Sequence, residues 1–337
     1  MAGRLIGILA AGLALLAAPA AAQDHARAAW VTLHSKAMEG NLEGNTADRT
    51  ALVVTPPGYD EHPGKRYPVV YFLHGYWATP QMYEDMAKFE DAVQGAAEAG
   101  NEVILVMPDG YSKLKGGFYS SSPTVGNYEA FVAEDLVAWV DANYRTIARR
   151  EARGLSGHSM GGYGTMRLGM KYPGVFSSLY AMSSCCLSPM AMTAETATRI
   201  EGMSQEDIAK ADFGGLAQLS TLATWSPDPT APPNYIDTGL TDDGKIDPLV
   251  NAKLAANAIL AMIPQHLPAL KAMNAIGLEA GDKDFLLAQN VAMHEELARY
   301  GVAHEWGTYD GDHGNRIAAR IRTELLPFFG RHLDHGN

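Results

Sequence analysis

Short, almost wholly apolar runs recur along the chain, and most are followed by stretches with apolar residues at three- and four-residue spacing. Val69–Leu73 (VVYFL) is β-branched and aromatic and stops at His74-Gly75, which predicts a buried strand. Pro80 to about Ala99 has helical spacing and ends at Gly100, a natural residue past a helix C-terminus. Val103–Met107 (VILVM) predicts the next strand and ends at Pro108-Asp109-Gly110. The alternation continues with a helix over Tyr128–Tyr144, a short strand near Ala152–Leu155, a helix over Met160–Tyr172 and a strand over Val175–Met182. Strands at Ala272–Leu278 and Ala303–Tyr309, with helices Phe285–Tyr300 and Ile317–Phe329, complete it. Strand–helix alternation of this kind predicts an α/β fold: a mostly parallel central sheet flanked by helices.

The rhythm breaks between about Ser184 and Pro268, a stretch rich in proline and acidic turns. It is too long for a simple loop, and we read residues 184–268 as an insertion, a cap over the site. Within it, Asp237–Asp247 (DTGLTDDGKID) has the composition of a calcium loop. Gly239, Thr241 and Val250 fall where ligands belong, so it reads as a solvated acidic turn and no metal is expected.

The first residues read as an address. Arg4 precedes an apolar run, Leu5–Ala18, and Ala20-Ala21-Ala22 is the small-residue pattern that a signal peptidase cuts. The run is shorter than the roughly 20 residues needed to span a bilayer. Residues 1–22 are therefore expected to be a bacterial signal peptide, with no stable membrane anchor. Residues 23–337 are the expected catalytic domain, delivered to the periplasm or medium. The net charge of −12 argues against nucleic acid as a partner. With 337 residues, 47 % of them hydrophobic, the chain has ample material for a large core. Its two cysteines, Cys185 and Cys186, are too few for a disulfide scaffold. They read either as two packed thiols or as a strained bonded pair.

One segment carries chemistry. Gly157-His158-Ser159-Met160-Gly161 is G-x-S-x-G between a predicted strand and a predicted helix. A serine hydroxyl needs exposure and a base within hydrogen-bond reach to act as a nucleophile. A sharp strand-to-helix turn at Ser159 gives the exposure, and it leaves the Met160 N–H free at a helix N-terminus to bind an oxyanion. The base is sought late in the chain. His313, in the glycine-rich loop after the last predicted strand, suits the role better than His304, His332 or His335. The acid that orients it is expected after the next-to-last strand, where Asp282 and Asp284 stand one residue apart. Asp284 is the preferred choice and Asp282 the alternative. A second oxyanion N–H is expected just after His74-Gly75, from Tyr76, with Gly75 next. His74, Gly75, Trp77, Tyr119 and His158 are further candidate contacts to substrate.

These segments resemble a known group. Tyr67–Gly75, the Pro108-Asp109-Gly110 turn, Gly154–Gly162, Gly281–Asp284 and Asp312-His313 are similar to the esterase D and feruloyl-esterase-like group of α/β-hydrolases. That group includes S-formylglutathione hydrolases, carbohydrate esterases and the antigen 85 mycolyltransferases. The resemblance runs from about Thr50 to Phe329, apart from residues 184–268. It implies the α/β-hydrolase fold and a serine esterase or acyltransferase without cofactor. By motif position it implies Ser159, Asp284 and His313 as catalytic residues, with oxyanion amides at Met160 and the residue after His74-Gly75. The expected substrate is a small-molecule or carbohydrate-linked ester, with feruloyl, acetyl and short-chain acyl groups as candidates. A mycolyltransferase-type acyltransferase or an S-formylglutathione hydrolase-like thioesterase would use the same side chains. A serine peptidase or a non-catalytic binding protein fits less well. The export signal departs from a cytosolic thioesterase, and the insertion keeps the substrate from being carried over.

Overall fold

The structure, a computed structural model, describes residues 24–336. The expected signal segment lies outside the described residues. The chain forms β1 (Arg27–His34), β2 (Asp48–Thr55), β3 (Val69–Leu73), β4 (Ile104–Pro108), a two-stranded ribbon of β5 (Ser121–Ser122) and β6 (Gly126–Asn127), β7 (Arg153–His158), β8 (Ser178–Met182), β9 (Ala275–Gly281) and β10 (Glu305–Tyr309). All but the ribbon join one eight-stranded sheet in the order β1-β2-β4-β3-β7-β8-β9-β10. From β4 to β10 the neighbours are parallel, while β1 and β2 add an antiparallel edge.

The central strands are continuous apolar runs because both faces of the sheet are covered. Successive side chains alternate between faces. Val69, Tyr71 and Leu73 pack on one side with the helical stretch Tyr128–Asn143 and the helix Met160–Lys171. Val70 and Phe72 pack on the other with helix Phe89–Glu98 and the C-terminal helical stretch that ends Phe328-Phe329.

Two local expectations need correction. The single helix over Pro80–Ala99 is two, Pro80–Ala87 and Phe89–Glu98, separated by Lys88 in the left-handed region at φ 52°. The turn lets the second helix change direction and bury Phe89 and Val93 against the sheet. The antiparallel edge β1–β2 was not anticipated. Only Leu33 is fully buried in β1, so its alternation is weak. Ala51–Val54 in β2 is a clear apolar run, but only a single 3-10 turn, Lys36–Met38, separates β2 from β1.

Between β8 and β9 the chain forms helices Ala194–Glu201, Gln205–Ala209, Phe213–Trp225, Pro248–Ala256 and Ile259–Met262. Asp237 and Asp243 of its acidic turn pair with Lys253 and Lys245. A buried polar cluster ties this segment to the core. Arg167 Nε donates to Glu129 Oε1 (2.8 Å), and Arg167 Nη1 donates to Tyr163 Oη (3.0 Å) and Asn257 Oδ1 (2.9 Å). Lys171 pairs with the other Glu129 oxygen. Removing one member of a buried pair strands the other charge. Arg167→Ala should therefore lower the unfolding free energy by about 3 kcal/mol, measured by urea denaturation. A loss within the small range typical of exposed arginines would show that the cluster contributes little.

Candidate active site

Every functional candidate stands at the C-terminal end of a parallel strand. Gly75 and Tyr76 follow β3, Ser159 follows β7, Cys185 and Cys186 follow β8, Asp284 follows β9 and His313 follows β10. Loops at that end of a parallel sheet face a common crevice.

The turn at Ser159 is strained, at φ 58° and ψ −115°. Its glycines are required by contact. A Cβ on Gly161 would lie 1.8 Å from the Leu73 carbonyl oxygen, and one on Gly157 would lie 2.5 Å from Gly161 backbone atoms. The start of helix Met160–Lys171 thus rests directly on the end of β3. Ser159 Oγ lies 3.0 Å from His313 Nε2. His313 Nδ1 lies 2.9 Å from Asp284 Oδ2 and 3.1 Å from Oδ1. The Asp284 carboxylate is fully buried. Burial works to raise its pKa, but the hydrogen bonds from His313 and the Leu286 N–H prevail and hold it below the ordinary carboxylate range. A charged Asp284 fixes the proton on His313 Nδ1 and leaves Nε2 free to accept from Ser159. Asp282 has a different place, accepting from the Gly311 N–H (3.0 Å) and so bracing the loop that carries His313.

Among the described residues, the N–H groups of Met160 and Tyr76 have no protein acceptor. The Gly75 N–H is taken by Tyr83 Oη at 3.0 Å, which leaves Tyr76 as the available donor after β3. The Tyr76 side chain is anchored, with its hydroxyl on the Leu114 carbonyl (2.7 Å) and its ring stacked on Phe118.

Ser159 and His313 open into a cavity of about 860 Å³. Phe118, Met190, Met192, Phe213, Leu254 and Phe285 supply much of its wall. Among the described residues, no Asp, Glu, Lys or Arg side chain lines it. Phe285 is 76 % exposed and its ring lies 4.7 Å from that of His313.

Of the expected substrate contacts, His74, Tyr119 and Trp77 are absent from the cavity wall, while His158 borders it. His74 is fully buried and joins strand ends, with Nε2 accepting from the Gly110 N–H at 2.8 Å. Tyr119 is buried beneath the site and donates to the His74 carbonyl, while its neighbour Phe118, at φ 49°, turns into the cavity wall. Trp77 lies outside the wall, stacked on Phe213. His158 borders the cavity, but both ring nitrogens are engaged within the protein. Its Nε2–H donates to the His313 carbonyl (2.7 Å), and its Nδ1 accepts from Tyr83 Oη (2.7 Å).

A model of the Esterase family matches residues 44–317. The chain belongs to that family. Among curated relatives of this Esterase-family protein, esterases Rv1288 and MT1326 of Mycobacterium tuberculosis are each 40 % identical over 119 residues, 34 % of this chain and 25 % of theirs. The chain thus spans about a quarter of the length of the curated relatives it matches. Among solved structures, a ferulic acid esterase superposes with a TM-score of 0.66 at 21 % identity, over 92 % of this chain and 100 % of that one. An S-formylglutathione hydrolase from Agrobacterium tumefaciens gives 0.61 at 16 %, over 93 % and 99 %. The Staphylococcus aureus fluorophosphonate-binding serine hydrolase F gives 0.61 at 14 %, over 92 % and 99 %. The fold is the α/β-hydrolase fold.

Sequence reasoning missed Tyr83 in this Esterase-family chain. It sits in helix Pro80–Ala87, and its partner His158 is 75 residues away. Burial, then the neighbouring His313, pushes the His158 pKa down to about 3. The folded protein therefore keeps this ring neutral, while the unfolded chain takes up a proton near pH 6.5. The associated stability is complete above pH 6.5 and falls on acidification toward pH 3. His158→Asn removes that proton uptake. The unfolding free energy of wild type minus variant should fall by about 1.4 kcal/mol per pH unit below pH 6.5. Urea unfolding from pH 7 to 4 measures it, and a constant difference would show that His158 is not buried neutral.

Proposed function

We propose that this protein is a serine carboxylic-ester hydrolase whose catalytic residues are Ser159, His313 and Asp284. One observation carries the reading: an unbroken hydrogen-bonded line from Ser159 Oγ through His313 to a buried Asp284, opening into a cavity whose described lining is without Asp, Glu, Lys or Arg. Ser159 Oγ attacks the ester carbonyl while His313 Nε2 takes its proton. Asp284 stabilises the imidazolium. The Met160 and Tyr76 N–H groups hold the tetrahedral oxyanion. His313 then protonates the leaving alcohol, and an acyl group remains on Ser159. Water activated by His313 attacks that acyl-enzyme and releases the acid.

The cavity wall supports neutral esters with an apolar acyl or alcohol group, feruloyl, acetyl and short-chain acyl esters among them. Residues 184–268 act as a cap, since Met190, Phe213 and Leu254 come from this segment. Residues 1–22 direct export, and the N-terminus of the exported protein should read Gln23 on sequencing.

Ser159→Ala should lower kcat on p-nitrophenyl acetate by roughly four to six orders of magnitude and abolish fluorophosphonate labelling, with an unchanged urea transition. Asp284→Asn should cost about 10⁴ in kcat. Near-full turnover by Ser159→Ala would overturn the assignment. An acyl-chain series of p-nitrophenyl esters, run beside methyl ferulate and acetylated xylan, identifies the substrate class. Phe285→Ala should raise KM for the esters that fill the cavity mouth.

A further inference from the structure

The only two cysteines of the chain are neighbours, and both line the cavity that holds Ser159 and His313. Their Sγ atoms lie 2.8 Å apart. Neither is sealed from solvent. Among the described residues, each sulfur has the other as its sole hydrogen-bond partner. The turn that presents them is pinned on each side. The Ser183 N–H donates to the Glu279 carbonyl (2.8 Å), and the Leu187 N–H donates to Gln289 Oε1 (3.0 Å). The Cys185 N–H donates to the carbonyl of Ser159 itself (3.2 Å). Cys186 sits at φ 58°, where side-chain-bearing residues are uncommon. Simple apolar filling would need neither that backbone nor two converging sulfurs.

We propose that Cys185–Cys186 is a covalent modification site in the pocket wall: a vicinal dithiol that a small apolar disulfide oxidises reversibly to a ring disulfide. The Cys186 thiolate attacks one sulfur of the reagent, whose S–S bond breaks and releases one thiolate. Cys185 then loses its proton to solvent, and its sulfur attacks Cys186 Sγ and expels the second thiolate. The pair gives up two electrons and two protons, and the reagent becomes two thiols. The hydrogen bond to Cys186 and burial push the Cys185 thiol above its ordinary pKa. That makes Cys185 the slower first nucleophile and the resolving thiol. Adjacent Cα atoms lie about 3.8 Å apart, well inside the roughly 5.5 Å of an unstrained disulfide. The ring is therefore strained and readily reduced. Because the same turn holds the Ser159 carbonyl, closing the ring changes the wall next to the nucleophile.

The test treats the reduced, folded protein with 4,4′-dithiodipyridine. We expect release of two pyridinethiones per chain, loss of the mass of two hydrogens and no retained pyridyl adduct, all reversed by dithiothreitol. Oxidation should lower turnover of p-nitrophenyl octanoate several-fold, with recovery on reduction, and Cys186→Ser should react more slowly, release at most one pyridinethione and show no loss of two hydrogens. Unreactive thiols in the native state, a persistent mixed disulfide, or oxidation without effect on turnover would each overturn the proposal. The activity arm rests on the esterase reading, whereas thiol release and mass do not. Absence of turnover before oxidation would count against that reading alone, and the stoichiometry and mass would still decide the site.

Discussion

The whole site depends on how closely the helix Met160–Lys171 approaches the end of β3. At Gly161 the helix lies so near the Leu73 carbonyl that no side chain fits between them. That contact sets two things at once. It lets Ser159 stand on a tight turn above the sheet, and it brings the free N–H of Met160 beside the loop that carries the free N–H of Tyr76. A helix held further off would separate the two donors and turn the hydroxyl away from His313. The motif glycines are a packing requirement before they are a chemical one.

Around that contact, buried polar groups join segments that the sequence keeps far apart. Gly75, Tyr83, His158 and His313 form one hydrogen-bonded relay from the loop after β3 to the loop after β10. On the other side, Asn290 accepts from the Ser184 N–H and donates to the Ser184 and Leu286 carbonyls, which fixes the cysteine turn against the turn after Asp284. Buried polar groups are costly unless partnered, so each relay favours one relative placement of its loops. The imidazole of His313 is thereby held from its backbone as well as from its ring.

Much of this was legible in the sequence because the signals are local. Val69–Leu73 coincides with β3 residue for residue, and the strand-turn-helix context of Ser159 is visible in eight consecutive residues. The position of His313 followed from strand order. What was not legible depends on partners distant in the chain. His158 could be read as a substrate contact because nothing nearby reveals that Tyr83 and the His313 carbonyl occupy both its nitrogens. Tyr119 and Phe118 exchange roles because a positive φ at this point decides which ring faces the cavity. Asp282 and Asp284 share one turn, and only the path of the loop after β10 distinguishes the carboxylate that meets the imidazole from the one that meets the backbone. The edge strand β1 escaped because pairing with β2, more than its own alternation, makes it a strand.

The relay ending on the His313 carbonyl has a bearing on biogenesis. The serine and its helix belong to the middle of the polypeptide, while His313 arrives only with β10 and the loop after it. A partly synthesised or C-terminally clipped chain can form the turn at residue 159 and still own an inert alcohol there. On the proposed mechanism, reactivity of that hydroxyl would report completed folding, and two fragments divided between β8 and β9 would regain it only by finding each other.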